Sequence, residues 1–239
     1  ELYCGKSDFA GAVRILKLWF KRQPNTIKKI AEFAEKVAAV NNYPMKILDF
    51  LGILLRRLNE TDKALAVYET LLTLHKEKLP MYNALLELYR LKDDSQNCIR
   101  CLENIVALRI ENDEDKIALA QLYYSTANYD QSVELLAELM IKDNNNMRVA
   151  GLLRELGNYY YAANNLEKAL KIYELVISNS NFDTTDIRLE LGGLYIKINQ
   201  PDNAISTLQK ITTGDKANIY KSQLLLAAAL IQKSDFQLA

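Results

Sequence analysis

The sequence predicts an all-α fold, a right-handed superhelical solenoid of antiparallel helix pairs, and three observations carry that expectation. Of 239 residues, 39 are Leu and 24 are Ala, both strong helix formers. Gly (8) and Pro (4) leave few breakers for long irregular connections. The third observation is a pattern that returns at nearly constant spacing. Its anchor falls at Gly52, Leu86, Ala120, Gly157, Gly192 and Ala227, separated by 34, 34, 37, 35 and 35 residues, a period that marks stacked repeats.

The elements follow in order. Residues 1–24 read as the second half of a leading repeat, with Tyr3, then Ala12-x-x-x-Leu16-x-x-Trp19, then Pro24. Residues 25–44 read as an extra or degenerate helix, because Ile27, Ile30, Ala31, Ala34, Val37 and Ala38 keep helical spacing. Its presence separates Ala12 from the next second-helix anchor, Ala64, by 52 residues. Such a helix either kinks the array or marks residues missing around Asn41 to Pro44; a continuous chain there requires adjacent Cα atoms about 3.8 Å apart. Residues 45–239 read as five full repeats, starting near 45, 79, 113, 150 and 185, and a truncated sixth from about 220. That last repeat is expected to end in a second helix of about five residues, too short to hold itself.

One unit can be read physically. Leu156-Gly157-x-x-Tyr160 places apolar groups on one helix face, with a small residue where a second helix crosses closely. Ala169-x-x-x-Tyr173-x-x-Val176 supplies the partner face. The same pair of motifs recurs at Leu51-Gly52-x-x-Leu55 with Ala64-x-x-x-Tyr68, and at Leu191-Gly192-x-x-Tyr195 with Ala204-x-x-x-Leu208. Between the two helices of each unit stand turn residues such as Asn59-Glu60-Thr61-Asp62 and Asn164-Asn165; Asn and Asp tolerate the left-handed conformation and cap the next helix. A hairpin of this kind cannot bury its apolar face alone, so hairpins stack.

These motifs resemble the tetratricopeptide repeat family. The resemblance covers roughly residues 45–239 and a half repeat at the start, and departs from the family pattern at Leu86, which is bulky where Gly or Ala is usual. It implies a non-enzymatic scaffold or adaptor whose first helices line a concave groove for a peptide or another protein. The groove positions are then Lys46, Asp49, Arg56, Arg57, Asn83, Glu87, Arg90, Gln121, Tyr124, Arg154, Asn158 and Tyr161, with Tyr124 and Tyr161 as aromatic anchors. Leu189, Ile196, Leu224, Ala228 and Ile231 form an apolar end surface, to be covered by more chain, a partner or a second copy. Some family members grip a terminal carboxylate with a basic residue and Asn; Arg154-x-x-x-Asn158 has that spacing, but Glu190 on the following helix would repel the anion.

Charge and composition exclude several other functions. Thirty basic and thirty acidic residues balance, which argues against a nucleic-acid protein, as does the absence of a recurring base-reading code. Residues 1–60 carry eleven basic and six acidic side chains, and residues 61–180 thirteen and eighteen, so self-assembly through oppositely charged ends, giving a homo-oligomer, is the alternative reading. No phosphate loop, G-x-S-x-G or H-E-x-x-H motif is present, and the sole His, His75, reads as a surface residue; no cofactor is expected. Cys98 and Cys101 lack two further nearby ligands for zinc and read as packed thiols. The longest apolar run, Leu224 to Ile231, is too short to span a bilayer. With three cysteines and no leader pattern, a cytoplasmic setting is expected, the alternatives being periplasmic or membrane-associated through regions outside this segment.

Overall fold

The structure, a computed structural model, describes residues 9–22, 24–40, 45–74, 78–211 and 214–238. Among the described residues there are thirteen α-helices, one short 3-10 turn and no strand, so the all-α repeat expectation holds. The chain forms two compact units, Glu1–Asn112 and Asp113–Ala239.

In the first unit, α1 (Phe9–Arg22) and α2 (Ile27–Val40) precede two hairpins, α3 (Met45–Arg57) with α4 (Thr61–Leu74) and α5 (Leu79–Leu91) with α6 (Ser95–Leu108). Ile30, Ala31, Ala34, Val37 and Ala38 of α2 are buried, and α2 packs along α3, which α1 also reaches. The continuity of 41–44, and the placement of Cys4 and His75, lie outside the described residues.

In the second unit, α7 (Asp113–Ser125) pairs with α8 (Tyr129–Lys142), α9 (Met147–Ala162) with α10 (Leu166–Asn179), and α11 (Thr185–Lys197) with α12 (Pro201–Leu208). A single long helix, α13 (Lys216–Leu238), closes the unit and packs on α11 and α12. The short second helix expected near the end is therefore replaced by continuous α13. The cause is local: between Asn218 and Ala239 the chain has no Gly, Pro or Asn to stop a helix.

Each hairpin turn is built the same way. Asn59, Asp93, Ala127, Asn164 and Asn199 all have positive φ, between 53° and 65°, ending the first helix of each pair. Side chains of Asp94, Asn146 and Asn165 accept from the backbone N–H three residues on, capping α6, α9 and α10.

The small anchors are where helices touch. A Cβ added at Gly52, Gly157 or Gly192 would lie 2.8, 2.5 and 2.5 Å from Tyr68, Tyr173 and Leu208 respectively. The second unit's core follows from the same columns, with Leu153, Leu156, Ala169, Tyr173, Val176, Leu191 and Ala204 all buried. Cys98 and Cys101 are buried in α6, at positions that belong to the core face.

Candidate functional site

The candidate site is the face carried by the first helix of each pair, treated separately in each unit. In the first unit, α3 presents Lys46, Asp49, Arg56 and Arg57, and α5 presents Asn83, Glu87 and Arg90. All of these are exposed or half-buried. Arg56 donates to Glu87 across the two helices. Arg57 turns to lie over the Phe20 ring of α1, 4.9 Å from its centroid.

In the second unit the same relationship is more extensive. Arg154 of α9 reaches α11, donating through Nε to both oxygens of Glu190, at 2.9 and 3.1 Å, and through Nη1 to Asp186 at 3.3 Å. The Glu190 hydrogen bond, against the opposing effect of burial, makes Arg154 hold its proton more firmly than usual. Asp186 also accepts from Asn218 of α13 at 3.0 Å. Arg148 extends from α9 toward α7, donating to Glu114 at 2.9 Å and Gln121 at 3.2 Å. Asn158 accepts from the Tyr173 hydroxyl at 2.5 Å.

These contacts engage the groups that a carboxylate clamp on this face would use. The guanidinium that would receive an anion is already held by two acidic side chains, and Asn158 is engaged with Tyr173. Beside this network a cleft of about 450 Å³ opens at the N-terminal ends of α9, α11 and α13, with Gly151, Arg154, Phe182 and Asp186 in its wall. No neighbouring atom lies within 4 Å of a Cβ built at Gly151, which keeps this wall open.

Tyr124 and Tyr161 behave differently from each other. Tyr124 is half-buried and meets Tyr129 edge-on, with centroids 5.6 Å apart. Tyr129 in turn lies 3.8 Å from Tyr159, and Tyr160 donates to Asp130 at 2.6 Å. Tyr161 is 37% exposed, with Lys197 Nζ 4.4 Å from its ring centroid.

The apolar end surface is only partly as expected. Leu189, at 3% exposure, is a core residue, and Ile196 is half-buried against the core. The helical period explains the difference: α11 is apolar on several sides, and Leu189 turns toward its packed neighbours. Leu224, Ala228 and Ile231 of α13 are exposed.

Sequence reasoning missed Glu114, Arg148 and Asp186 as parts of the face. Their signal was present, since each ion pair joins residues about one repeat apart: Arg56 and Glu87 by 31, Glu114 and Arg148 by 34, Arg154 and Asp186 by 32. It also missed a link between hairpins. Tyr89 donates to Glu69 at 2.8 Å, and Tyr195 donates to Glu174, pairs 20 and 21 residues apart that join the second helix of one hairpin to the first helix of the next.

Among the described residues no group of three or more His, Cys, Asp or Glu could hold a metal ion, and no helix is long and apolar enough to cross a membrane. Residues 47–81 match the family model for the tetratricopeptide repeat. No curated protein matches. A solved chain of the Naa15/Naa10 complex bound to HypK-THB is similar at 16% identity and a TM-score of 0.58, the match covering 95% of this chain and 34% of that one. This chain thus spans about a third of that solved chain, and the likeness is one of fold. A tetratricopeptide repeat protein from Parabacteroides merdae is 17% identical (95% and 94% covered, TM-score 0.39). YrrB, described as having an unusual peptide-binding site, is 18% identical (85% and 99% covered, TM-score 0.42).

Proposed function

We propose that this chain, whose residues 47–81 match the tetratricopeptide-repeat model, is a non-enzymatic scaffold that binds a segment of another protein on the face of its first helices. The observation that carries this reading is the cross-helix fastening of that face: Arg56 to Glu87 in the first unit, and Arg154 to Glu190 and Asp186 in the second. A surface whose side chains are already positioned loses little ordering entropy when a ligand docks. The fastening also changes the ligand chemistry. Arg56 and Arg154 are neutralised internally, so a bare acidic tail finds no unpaired clamp there. Exposed Lys46, Asn83, Arg90 and Tyr161 are left as hydrogen-bonding and stacking contacts for a mixed polar and aromatic segment.

The test is affinity capture from extract with wild type, Tyr161→Ala and Asn83→Ala as baits, each checked for unchanged thermal stability. Loss of captured proteins from either variant, relative to wild type, supports the reading for the face of that unit. Identical recovery by all three baits sinks it.

A further inference from the structure

The outward side of α13 carries a feature that the proposed binding face does not use. Ser222 and Ala229 are buried, so the opposite side of the helix points away from the unit. That side displays Tyr220, Leu224, Ala227 and Ile231, all exposed, with Tyr220 64%, Leu224 54% and Ile231 62% accessible. Their spacing of four, three and four is the seam of a two-stranded helical contact.

We infer that this seam is a homodimer contact, in which α13 packs antiparallel against α13 of a second copy about a two-fold axis. The argument rests on self-complementarity. With the axis between Leu224 and Ala227, each Leu224 faces the second copy's Ala227, and each Tyr220 faces the second copy's Ile231. Every layer then sets one large side chain against a smaller or branched one, and the Ala positions let the helices approach closely. A two-fold contact requires this reciprocity.

Charge selects the same direction. In a parallel pair, Lys216 would stand beside the second copy's Lys221, because those flanking positions lie five residues apart. In the antiparallel pair Lys221 lies beside the second copy's Ala228, where its methylene stem covers apolar surface and its ammonium reaches water. The paired seams, with flanking Leu230, bury roughly 1,000 Å² in total, at the small end of specific interfaces, which corresponds to a weak, reversible dimer.

The test is sedimentation velocity on the 239-residue chain up to about 100 μM, where a micromolar complex is saturated. The expected result is a dimer for wild type and a monomer for Leu224→Lys/Ile231→Lys, with helical circular dichroism unchanged, and melting unchanged at dilutions where wild type is also monomeric, because both positions then face solvent. In a Cys4→Ser background, mixing Tyr220→Cys with Ile231→Cys chains should give disulfide-linked mixed dimers, while neither alone cross-links, since identical positions are about 16 Å apart along an antiparallel pair. A wild-type monomer at the highest concentration overturns the inference. So does a dimer that survives both lysines, or a Tyr220→Cys chain that cross-links to itself.

Discussion

The Tyr173 ring fills the space that a side chain at Gly157 would need: a Cβ built there lies 2.5 Å from Cε1. Tyr173 is fully buried, and its hydroxyl donates to Asn158, one residue beyond Gly157. The glycine is thus the price of bringing α9 and α10 close enough to share a tyrosine. Gly151, six residues earlier on the same helix, meets nothing within 4 Å.

This contrast gives a paired prediction. Gly157→Ala gains helix propensity but overpacks against a buried ring, a cost of about 1–3 kcal/mol against a gain of about 1, so it lowers stability. Gly151→Ala has only the gain and raises stability by about 0.5–1 kcal/mol. Urea unfolding of the two variants checks both signs.

Ala127 is the exception among the five hairpin turns, because it holds φ +62° without the Asn or Asp found at the other four. The left-handed conformation costs an ordinary L-residue about 1–2 kcal/mol. Ala127→Gly should recover about 1 kcal/mol, with no change in circular dichroism, whereas Asn164→Ala should lose stability for the same reason. A melt of each variant decides it.

The repeat spacing, the all-α class and the crossing glycines were legible because they depend on side-chain size at fixed helical intervals. Much of the candidate face was not. A helical stripe says which residues share a side, and so nominated Arg154 and Asn158, but it does not say which neighbour each one meets. That requires aligning one repeat on the next, which brings Arg154 to Glu190 and Asp186. Leu189 was misplaced because α11 has apolar residues on several sides, so its pattern alone points in no single direction. The continuous α13 was hidden by treating the last repeat as a copy of the others, although its stopping residues are missing.

Burial, and in three of the four cases an acidic acceptor as well, raise the pKa of several tyrosines: Tyr89, beside Glu69, to about 12, and Tyr160, Tyr173 and Tyr195 in the same direction. A phenol whose folded pKa is raised stabilises the fold fully below the unfolded value of 10.0 and ceases to do so as pH rises through the folded value. Alkaline titration should therefore show the exposed tyrosines ionising first, then a cooperative rise in tyrosinate absorbance between pH 10.0 and about 12 that coincides with helix loss. A single non-cooperative transition near pH 10.0 for all 14 tyrosines would contradict the buried tyrosine–carboxylate links.

Cys98 and Cys101 are buried, and burial pushes the Cys101 thiol up to about 11 and Cys98 in the same direction. The reactive thiolate is therefore scarce as well as inaccessible. In a Cys4→Ser chain, thiol alkylation at pH 7 should be undetectable on the time scale of a model thiol's reaction and should reach two equivalents per chain in denaturant. Fast labelling of the native protein would show that α6 opens readily.

Tyr124 and Tyr161 should separate binding from stability, although both were nominated as anchors. Tyr124 is half-buried and sits edge-on to Tyr129, so Tyr124→Ala removes one ring from a packed aromatic chain and should cost about 1–2 kcal/mol, below the 3–5 typical of a fully buried ring. Tyr161 is exposed, and Lys197 Nζ lies 4.4 Å from its ring centroid, an exposed cation–π pair of about 0.5–1 kcal/mol. Tyr161→Ala should therefore leave the melting temperature nearly unchanged while weakening capture of a partner on the second unit's face. Lys197→Ala should match it in stability but not in capture, because the lysine orients the ring without replacing its contact area. If Tyr124→Ala abolishes capture at a temperature where it remains folded and Tyr161→Ala does not, the partner rests on the Tyr124–Tyr129–Tyr159 cluster instead of on Tyr161.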